Sequence, residues 1–292
     1  MSGLKRQLKA DSKFKMENYP TDISDSITPE DAKKELKRLR KELAQLQDVM
    51  YAHDRYSVLI CLQGMDTAGK DSLIREVFEK FNARGVIVSS FKTPSSKELQ
   101  HDYLWRHVIA LPEKGKFGVF NRTHYENVLV TRVHPEYLLR ENLPEIKTTE
   151  DLPKDFWRKR YEQINNFEEH ISANGTIIFK FYLHLSKGEQ RKRLLRRLEK
   201  EDHNWKFSPG DLEERKLWDK YMESYQEAIQ HTSKSNAPWY IIPADNKEIS
   251  RYLVVKTVLE ELKKYKDIQY PELPEDIEKH IHIYKKQLES EK

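Results

Sequence analysis

The sequence predicts an α/β fold in which a parallel sheet is covered by helices on both faces. Three observations lead there. Short β-branched and aromatic runs alternate with helical stretches along most of the chain; one such run feeds straight into a glycine-rich turn that opens a helix; no internal repeat or low-complexity block interrupts the alternation. The 292 residues suffice for one large domain with insertions or two small ones.

The first 28 residues are polar and read as an extended N-terminal arm. Pro29 then opens a helix. Its apolar positions Leu36, Leu39, Leu43, Leu46 and Met50 keep the spacing of one buried stripe, while Lys, Arg and Glu occupy the other faces. This helix packs on the domain, since a coiled coil would need more heptads. Strands are expected at 56–62, 86–91, 117–120, 176–183 and 239–242. Helices are expected at 70–81, 97–106, 156–171, 188–200, 211–232 and 249–265. The main domain therefore runs from 29 to 266, with 267–292 as a charged, peripheral tail. His280 and His282 in that tail read as surface residues, and no cluster has zinc-ligand spacing.

Charge and cysteine content restrict the setting. Fifty-two basic residues against 48 acidic ones leave only +4, so a polyanion would need a local basic cluster, and coating of nucleic acid is not expected. The single cysteine, Cys61, lies in an apolar run and reads as a core thiol in a reducing compartment. The N-terminus is basic but lacks the apolar stretch of a secretory signal, and Val58 to Leu62 falls far short of the roughly 20 residues that span a bilayer. A cytoplasmic chain without membrane contact is expected.

Three segments carry chemistry. Gly64-Met65-Asp66-Thr67-Ala68-Gly69-Lys70-Asp71-Ser72 has the Gly-x4-Gly-Lys spacing of a phosphate-binding loop, between a predicted strand and a predicted helix. Its glycines let the backbone turn N–H groups inward, and the helix N-terminus adds its dipole. Gly64, Thr67, Ala68, Gly69, Lys70 and Asp71 are therefore phosphate-binding candidates. Asp71 stands where most such loops place a Mg²⁺-binding Ser or Thr, so it either joins the phosphate site or caps the helix. Asp66 would repel phosphate unless a cation lay between, and so reads as the Mg²⁺ ligand.

Val119 to Glu126 follows a strand, where phosphate-binding loop folds set polar residues beside the phosphates. Asn121 occupies the place of an expected Asp, Arg122 is placed to neutralise phosphate, and Glu126 faces the acceptor side. The competing reading is a turn in which Asn121 caps the next helix. Asp66, Lys70 and Arg122 are the catalytic candidates; Arg132 is a further phosphate-binding one. Lys92, Asn121, Arg122, Glu126 and Asn127 are the nucleotide-binding set.

The third segment is basic. Seven cationic and two acidic residues lie between Lys187 and Lys200, with Arg193 and Arg197 four apart on one helical face. Ser186 and Glu189 form a capping box ahead of them. Behind a phosphate-binding loop, this run resembles a helical lid over about 187–215 that closes on transferring phosphates, with Arg193, Arg197 and Lys206 as contacts. The competing reading is a solvated face.

With these segments in hand, the chain resembles the polyphosphate kinase 2 family. The likeness rests on Met65-Asp66-Thr67-Ala68-Gly69-Lys70-Asp71, Asp102-Tyr103-Leu104-Trp105-Arg106, Phe120-Asn121-Arg122-Thr123-His124-Tyr125-Glu126, Trp205-Lys206-Phe207, Gly210-Asp211-Leu212 and Ala237-Pro238-Trp239-Tyr240. The Asn121 version of the second segment is similar to the subgroup often called class III. Departures are Thr123 for the usual Ser and Asn127 for the usual Asp. The resemblance implies a three-layer P-loop kinase fold and transfer of a terminal phosphoryl group from inorganic polyphosphate to AMP and ADP, giving ADP and ATP, with Mg²⁺. A homo-oligomer is expected. Such transfer asks for positioning and charge neutralisation rather than a strong base. The alternatives are an ATP-dependent nucleoside monophosphate kinase and a non-catalytic polyanion or RNA binder, although a pure binder gains nothing from Asp66.

Overall fold

The computed structural model describes residues 8–204 and 207–291. Helix α1 (Pro29–His53) precedes strand β1 (Ser57–Gln63), helix α2 (Lys70–Val77) and strand β2 (Val86–Ser90). Helix α3 (Trp105–Val108), strand β3 (Phe117–Asn121), helix α4 (Glu126–Val133) and helix α5 (Phe156–Ala173) follow, then strand β4 (Thr176–His184). Helices α6 (Lys187–Glu199), α7 (Glu201–Asn204), α8 (Pro209–Lys216) and α9 (Trp218–Thr232) lead to strand β5 (Trp239–Pro243), helix α10 (Lys247–Leu262) and helix α11 (Glu275–Ser290).

Among the described residues the strands form one parallel sheet in the order β2-β3-β1-β4-β5, with Leu59 opposite Gly118 and Ile178. Alternation along each strand divides the core into two layers. Val58, Ile60 and Leu62, with Phe179 and Phe181, pack under Leu36 and Leu43 of α1, Leu73 of α2 and Leu253 and Val258 of α10. On the opposite face, Tyr182, Trp239 and Ile241 meet Val128 and Leu129 of α4, Ile164 of α5 and Tyr225 and Ile229 of α9. Leu59, Cys61 and Phe120 extend that face toward β2, and Cys61 is buried as expected. Both faces are thus covered, the three-layer P-loop kinase architecture. The order reverses at β1, so the open crevice at a sheet's carboxyl edge falls beside the β1–α2 loop.

From residue 8 on, the N-terminal arm turns through a short 3-10 helix at Met16–Asn18 and is part of the core. Ala10 N–H donates to Trp239 O, Lys9 bridges Tyr240 in antiparallel sense, and Leu8, Ala10 and Phe14 are buried. The arm therefore covers the outer edge of β5. Thr28 caps α1 by accepting from Asp31 N–H, with Pro29 in the first turn.

Two helix expectations need correction. The span 97–106 is not continuous: a single turn at Glu98–Gln100 is followed by Asp102, whose Oδ1 accepts from Leu104 N–H and diverts the chain before α3 begins. The span 211–232 begins earlier, at Pro209 behind the Ser208 cap, and breaks at Leu217 between α8 and α9. The charged tail, for which no element was expected, contains α11, and no residue of that helix is buried. Among the described residues no helix is long and apolar enough to cross a membrane.

Candidate active site

Residues 64–69 join the end of β1 to the start of α2. Gly64 (φ 154°) lies so close to β4 that an added Cβ would sit 3.1 Å from both the Cβ and the carbonyl oxygen of Leu183. Gly69 (φ 103°) gives the left-handed turn into α2. Thr67, a β-branched residue, is held at φ 67°, and Arg122 across the crevice at φ 56°. Non-glycine residues adopt this region only where their surroundings impose it.

What imposes it on the loop is Arg193. This side chain is buried, and each of its N–H groups has a partner. Nε donates to Glu189; Nη1 donates to the carbonyls of Thr67 (3.0 Å) and Ala68 (3.2 Å); Nη2 donates to those of Ala244 (2.7 Å) and Asp245 (2.9 Å). Gln190 Nε2 donates to Asp66 O from the same helix. The first turns of α6 thus hold the loop from behind. This corrects the expectation that Arg193 faces phosphate: its donors are committed to backbone carbonyls, and it shapes the loop. Arg197, one turn on, lies half-buried and bonds Asp211 of α8 at 3.0 Å. Arg132 also stands apart from the loop, paired with Glu227 and lying over the Trp157 ring. Lys206 lies outside the described residues.

The charged groups expected at the loop do converge. Lys70 Nζ donates to Gly64 O at 2.5 Å. Burial and the neighbouring Arg122 lower its pKa against the pull of Asp66, Glu126 and Asp71. Arg122 Nη2 donates to Asp66 Oδ1 at 2.9 Å, with Glu126 4.0 Å from its other arm. Burial acts to lower the Arg122 pKa, but Glu126 and Asp66 outweigh it and the guanidinium stands above its ordinary value. Asp71 accepts from Asn121 Nδ2 at 2.6 Å. Neither acts as a helix cap, and Asn121 is turned toward the loop rather than the acceptor side. The oxygens Asn121 Oδ1 and Thr67 Oγ1 are buried without a partner among the described residues.

Beside the loop lies a cleft of about 490 Å³. Lys92, Arg122, Glu126 and Asn127 line it, four of the five residues expected to meet a nucleotide. Residues that sequence reasoning passed over complete it: Tyr103, Arg106, Tyr137 and Arg140. Arg106 had a signal, since it closes the quoted 102–106 motif; its Nη1 donates to Lys92 O at 2.7 Å and orients that segment. Gln63, the last residue of β1, was also missed. Its Nε2 donates to Glu126 Oε1 at 3.0 Å and Thr123 Oγ1 at 3.2 Å, aiming the Glu126 carboxylate.

The turn carrying Arg122 rests on a buried ionic network. Lys180 of β4 donates to Glu168 (2.6 Å), the Tyr125 hydroxyl oxygen (2.7 Å) and Thr232 O (2.7 Å). Tyr125 OH donates to Glu168, and His124 Nε2 lies 3.1 Å from the same carboxylate. Burial lowers the Lys180 pKa, against the pull of Glu168. An ion pair so enclosed is tolerated because every charged atom has a hydrogen-bond partner.

The polyphosphate kinase 2 (PPK2) family profile matches residues 26–270. The ADP-polyphosphate phosphotransferase of Rhodopseudomonas palustris is 47% identical over 261 residues, covering 89% of each chain. The AMP/ADP-polyphosphate phosphotransferase of Meiothermus ruber is 42% identical over 270 residues, covering 92% of this chain and 95% of that one. The crystal structure of polyphosphate kinase 2 from Arthrobacter aurescens superposes with a TM-score of 0.86 at 33% identity, covering 96% and 95% of the two chains. With the family profile across most of its length and relatives this similar, the chain belongs to the polyphosphate kinase 2 family.

Proposed function

We propose that this protein transfers the terminal phosphoryl group of inorganic polyphosphate to AMP and ADP, forming ADP and ATP. One observation carries the reading. Arg122 belongs to two sites at once: its guanidinium bonds Asp66 in the phosphate-binding loop and lines the cleft beside it. A cation at that junction serves a phosphoryl group passing between a donor on one side and an acceptor on the other. The loop backbone and Lys70 hold one partner. Lys92, Arg106 and Arg140 supply charge for the nucleotide in the cleft, and Tyr137 offers it an aromatic face. The names of the relatives from R. palustris and M. ruber support the donor and the acceptors.

The residues fit Mg²⁺. No cluster of three or more metal-binding side chains occurs among the described residues. Mg²⁺ is commonly held by one or two carboxylates together with substrate phosphates, and Asp66 is the carboxylate on the loop, with the unpartnered Asn121 Oδ1 nearby. Bound there, Mg²⁺ would neutralise phosphate oxygens. The acceptor oxygen is already ionised, so Lys70 and Arg122 act by holding charge and position, and no general base is required. In this reading the segment beyond the first turns of α6, as far as α8, serves as lid, the protein works in the cytoplasm as a self-associating chain, and no nucleic acid or membrane takes part.

The test supplies purified protein with polyphosphate, Mg²⁺ and either AMP or ADP, without ATP, and separates the nucleotides over time with adenylate kinase excluded. ADP then ATP should appear from AMP. Phosphorylation only when ATP is the donor would favour a nucleoside monophosphate kinase. ATP from ADP with AMP untouched would confine the acceptor to ADP.

A further inference from the structure

The family profile begins at residue 26, yet the arm ahead of it reaches the carboxyl edge of the sheet. Met16 and Tyr19 pack with one core layer, and Ile23 and Ile27 with the other. The chain therefore changes sides between them, and Thr21 lies at the crossing. There it closes a two-bond pair with Asp245, the second residue after β5. Asp245 N–H donates to Thr21 O at 3.0 Å, and Thr21 Oγ1 donates to Asp245 Oδ2 at 2.9 Å.

Asp245 also binds in two further directions. Its Oδ1 accepts from Ser186 N–H at 2.8 Å, where β4 gives way to α6. The Ser186 hydroxyl caps that helix by accepting from Glu189 N–H, and Asp245 satisfies the Ser186 N–H in turn. The Asp245 carbonyl, with that of Ala244, receives Arg193 Nη2. Ala244 N–H is itself tied to His184 O at the end of β4. One residue thus sets where α6 starts and also presents the acceptors that Arg193 grips two turns later. The other arm of the same guanidinium holds the Thr67 and Ala68 carbonyls of the phosphate-binding loop. We propose that Asp245 and Thr21 are positioning residues for phosphoryl transfer: they hold the far side of the Arg193 clamp, and through it the N-terminal arm sets the shape of the loop. This rests on the loop's role in the proposed function. The arm has a second anchor in the buried ring of Phe14, which contributes to the fold by apolar burial.

Two readouts on the full chain separate positioning from simple stability. One is initial rates with polyphosphate, ADP and Mg²⁺; the other is hydrogen exchange of the backbone amides of 64–71, which needs no turnover. Thr21→Val removes the hydroxyl at nearly the same shape. It should lower kcat by about 10-fold, less than the roughly 10²-fold of a misplacement of about 1 Å, because the Asp245–Ser186 bond remains. The KM for ADP should not change, and exchange in the loop should speed up. Thr21→Ser restores the hydroxyl and should restore both. Asp245→Ala should lower kcat further, and adding Thr21→Val to it should do nothing more, since the two act as one unit. Phe14→Leu should lower the urea midpoint while leaving kcat and loop exchange as in the wild type. Wild-type kcat and loop protection in Thr21→Val overturn the proposal. So do additive losses in the double variant, failure of Thr21→Ser to recover, or an equal loss of kcat in Phe14→Leu. A wild type that transfers nothing from polyphosphate would instead refute the proposed function, and loop exchange across the same variants would then decide whether Thr21 and Asp245 shape the loop.

Discussion

Arg193 offers the sharpest test of how the loop works, because two readings of the same residue diverge. As part of a basic lid it would touch polyphosphate; in the structure it clamps the loop from behind. Two of its four bonds to carbonyls, those to Ala68 and Ala244, are buried. A hydrogen bond from a charged donor is worth about 1.5–3 kcal/mol. Water can replace the part-buried pair to Thr67 and Asp245 but not the buried pair. Arg193→Ala should therefore destabilise the protein by about 3–5 kcal/mol, the range for removing one partner of a buried ionic contact. Arg193→Lys keeps the charge but has a single donor atom, which cannot span from Ala68 to Ala244; about half that loss is expected. Released from its clamp, the Thr67 backbone would relax from its left-handed conformation. A misplacement of about 1 Å can cost on the order of 10²-fold in turnover. Urea unfolding followed by circular dichroism gives the first quantity, and initial rates at low and high salt give the second. A variant of wild-type stability, with weakened, salt-sensitive affinity for polyphosphate, would refute the clamp and return Arg193 to the lid.

Other predictions concern the site and its surroundings. Lys70→Ala should lower kcat by at least ~10²-fold, the scale of losing one electrostatic stabiliser, in a protein that remains folded; near-normal turnover would overturn the loop assignment. Asp66→Asn should raise the Mg²⁺ concentration needed for half activity, and a titration that overlays the wild type would make Asp66 structural. Burial, reinforced by His124 and Arg106, pushes the His107 pKa from 6.5 down to about 2. The folded protein therefore binds fewer protons here than the unfolded chain, and stability falls as pH drops below 6.5 toward the folded value. From about pH 8 to about pH 5 this one group should remove about 2 kcal/mol. Urea unfolding across that range should be correspondingly flatter for His107→Leu than for the wild type, and parallel curves would refute it.

Much of the architecture was legible in the chain because strand runs and helix stripes report burial directly. The alternation of Val58, Ile60 and Leu62 with Leu59 and Cys61 is the sheet's two-faced core written in sequence. The loop was legible too, since glycine spacing encodes backbone shape. Less visible were contacts whose partners are distant along the chain. Nothing near Gln63 announces Glu126, and nothing near Lys180 announces Glu168 or Tyr125. Arg193 misled for the same reason. On a helix with six cations it looks like its neighbours, and only the approach of residues 67–68 and 244–245 turns it inward. Helix α4 was hidden by its own motif: Glu126 and Asn127 drew the reading toward chemistry, although Val128, Leu129 and Val133 mark a buried helical face.

The site also accounts for a puzzle in the composition. A protein whose substrates are polyanions carries a nearly balanced charge. Around the loop, Lys70 and Arg122 are set against Asp66, Asp71 and Glu126, and Asp211 adds another carboxylate close enough to Asp66 that, after burial, this neighbour raises its pKa. Such a cluster does not attract phosphate by bulk charge. In the proposed function, backbone N–H groups, a helix dipole and a few fixed cations would do the holding, and the carboxylates would leave room for a divalent cation between themselves and the phosphates. A site of this kind is favourable to a phosphate chain only when the metal arrives with it, so uncomplexed polyphosphate should bind much more weakly than its Mg²⁺ form. The same carboxylates set the cations in place: Asp66 and Glu126 flank the Arg122 guanidinium, and Gln63 in turn aims Glu126. Preorganised in this way, the charges need little rearrangement during transfer, which is where electrostatic stabilisation acts most strongly.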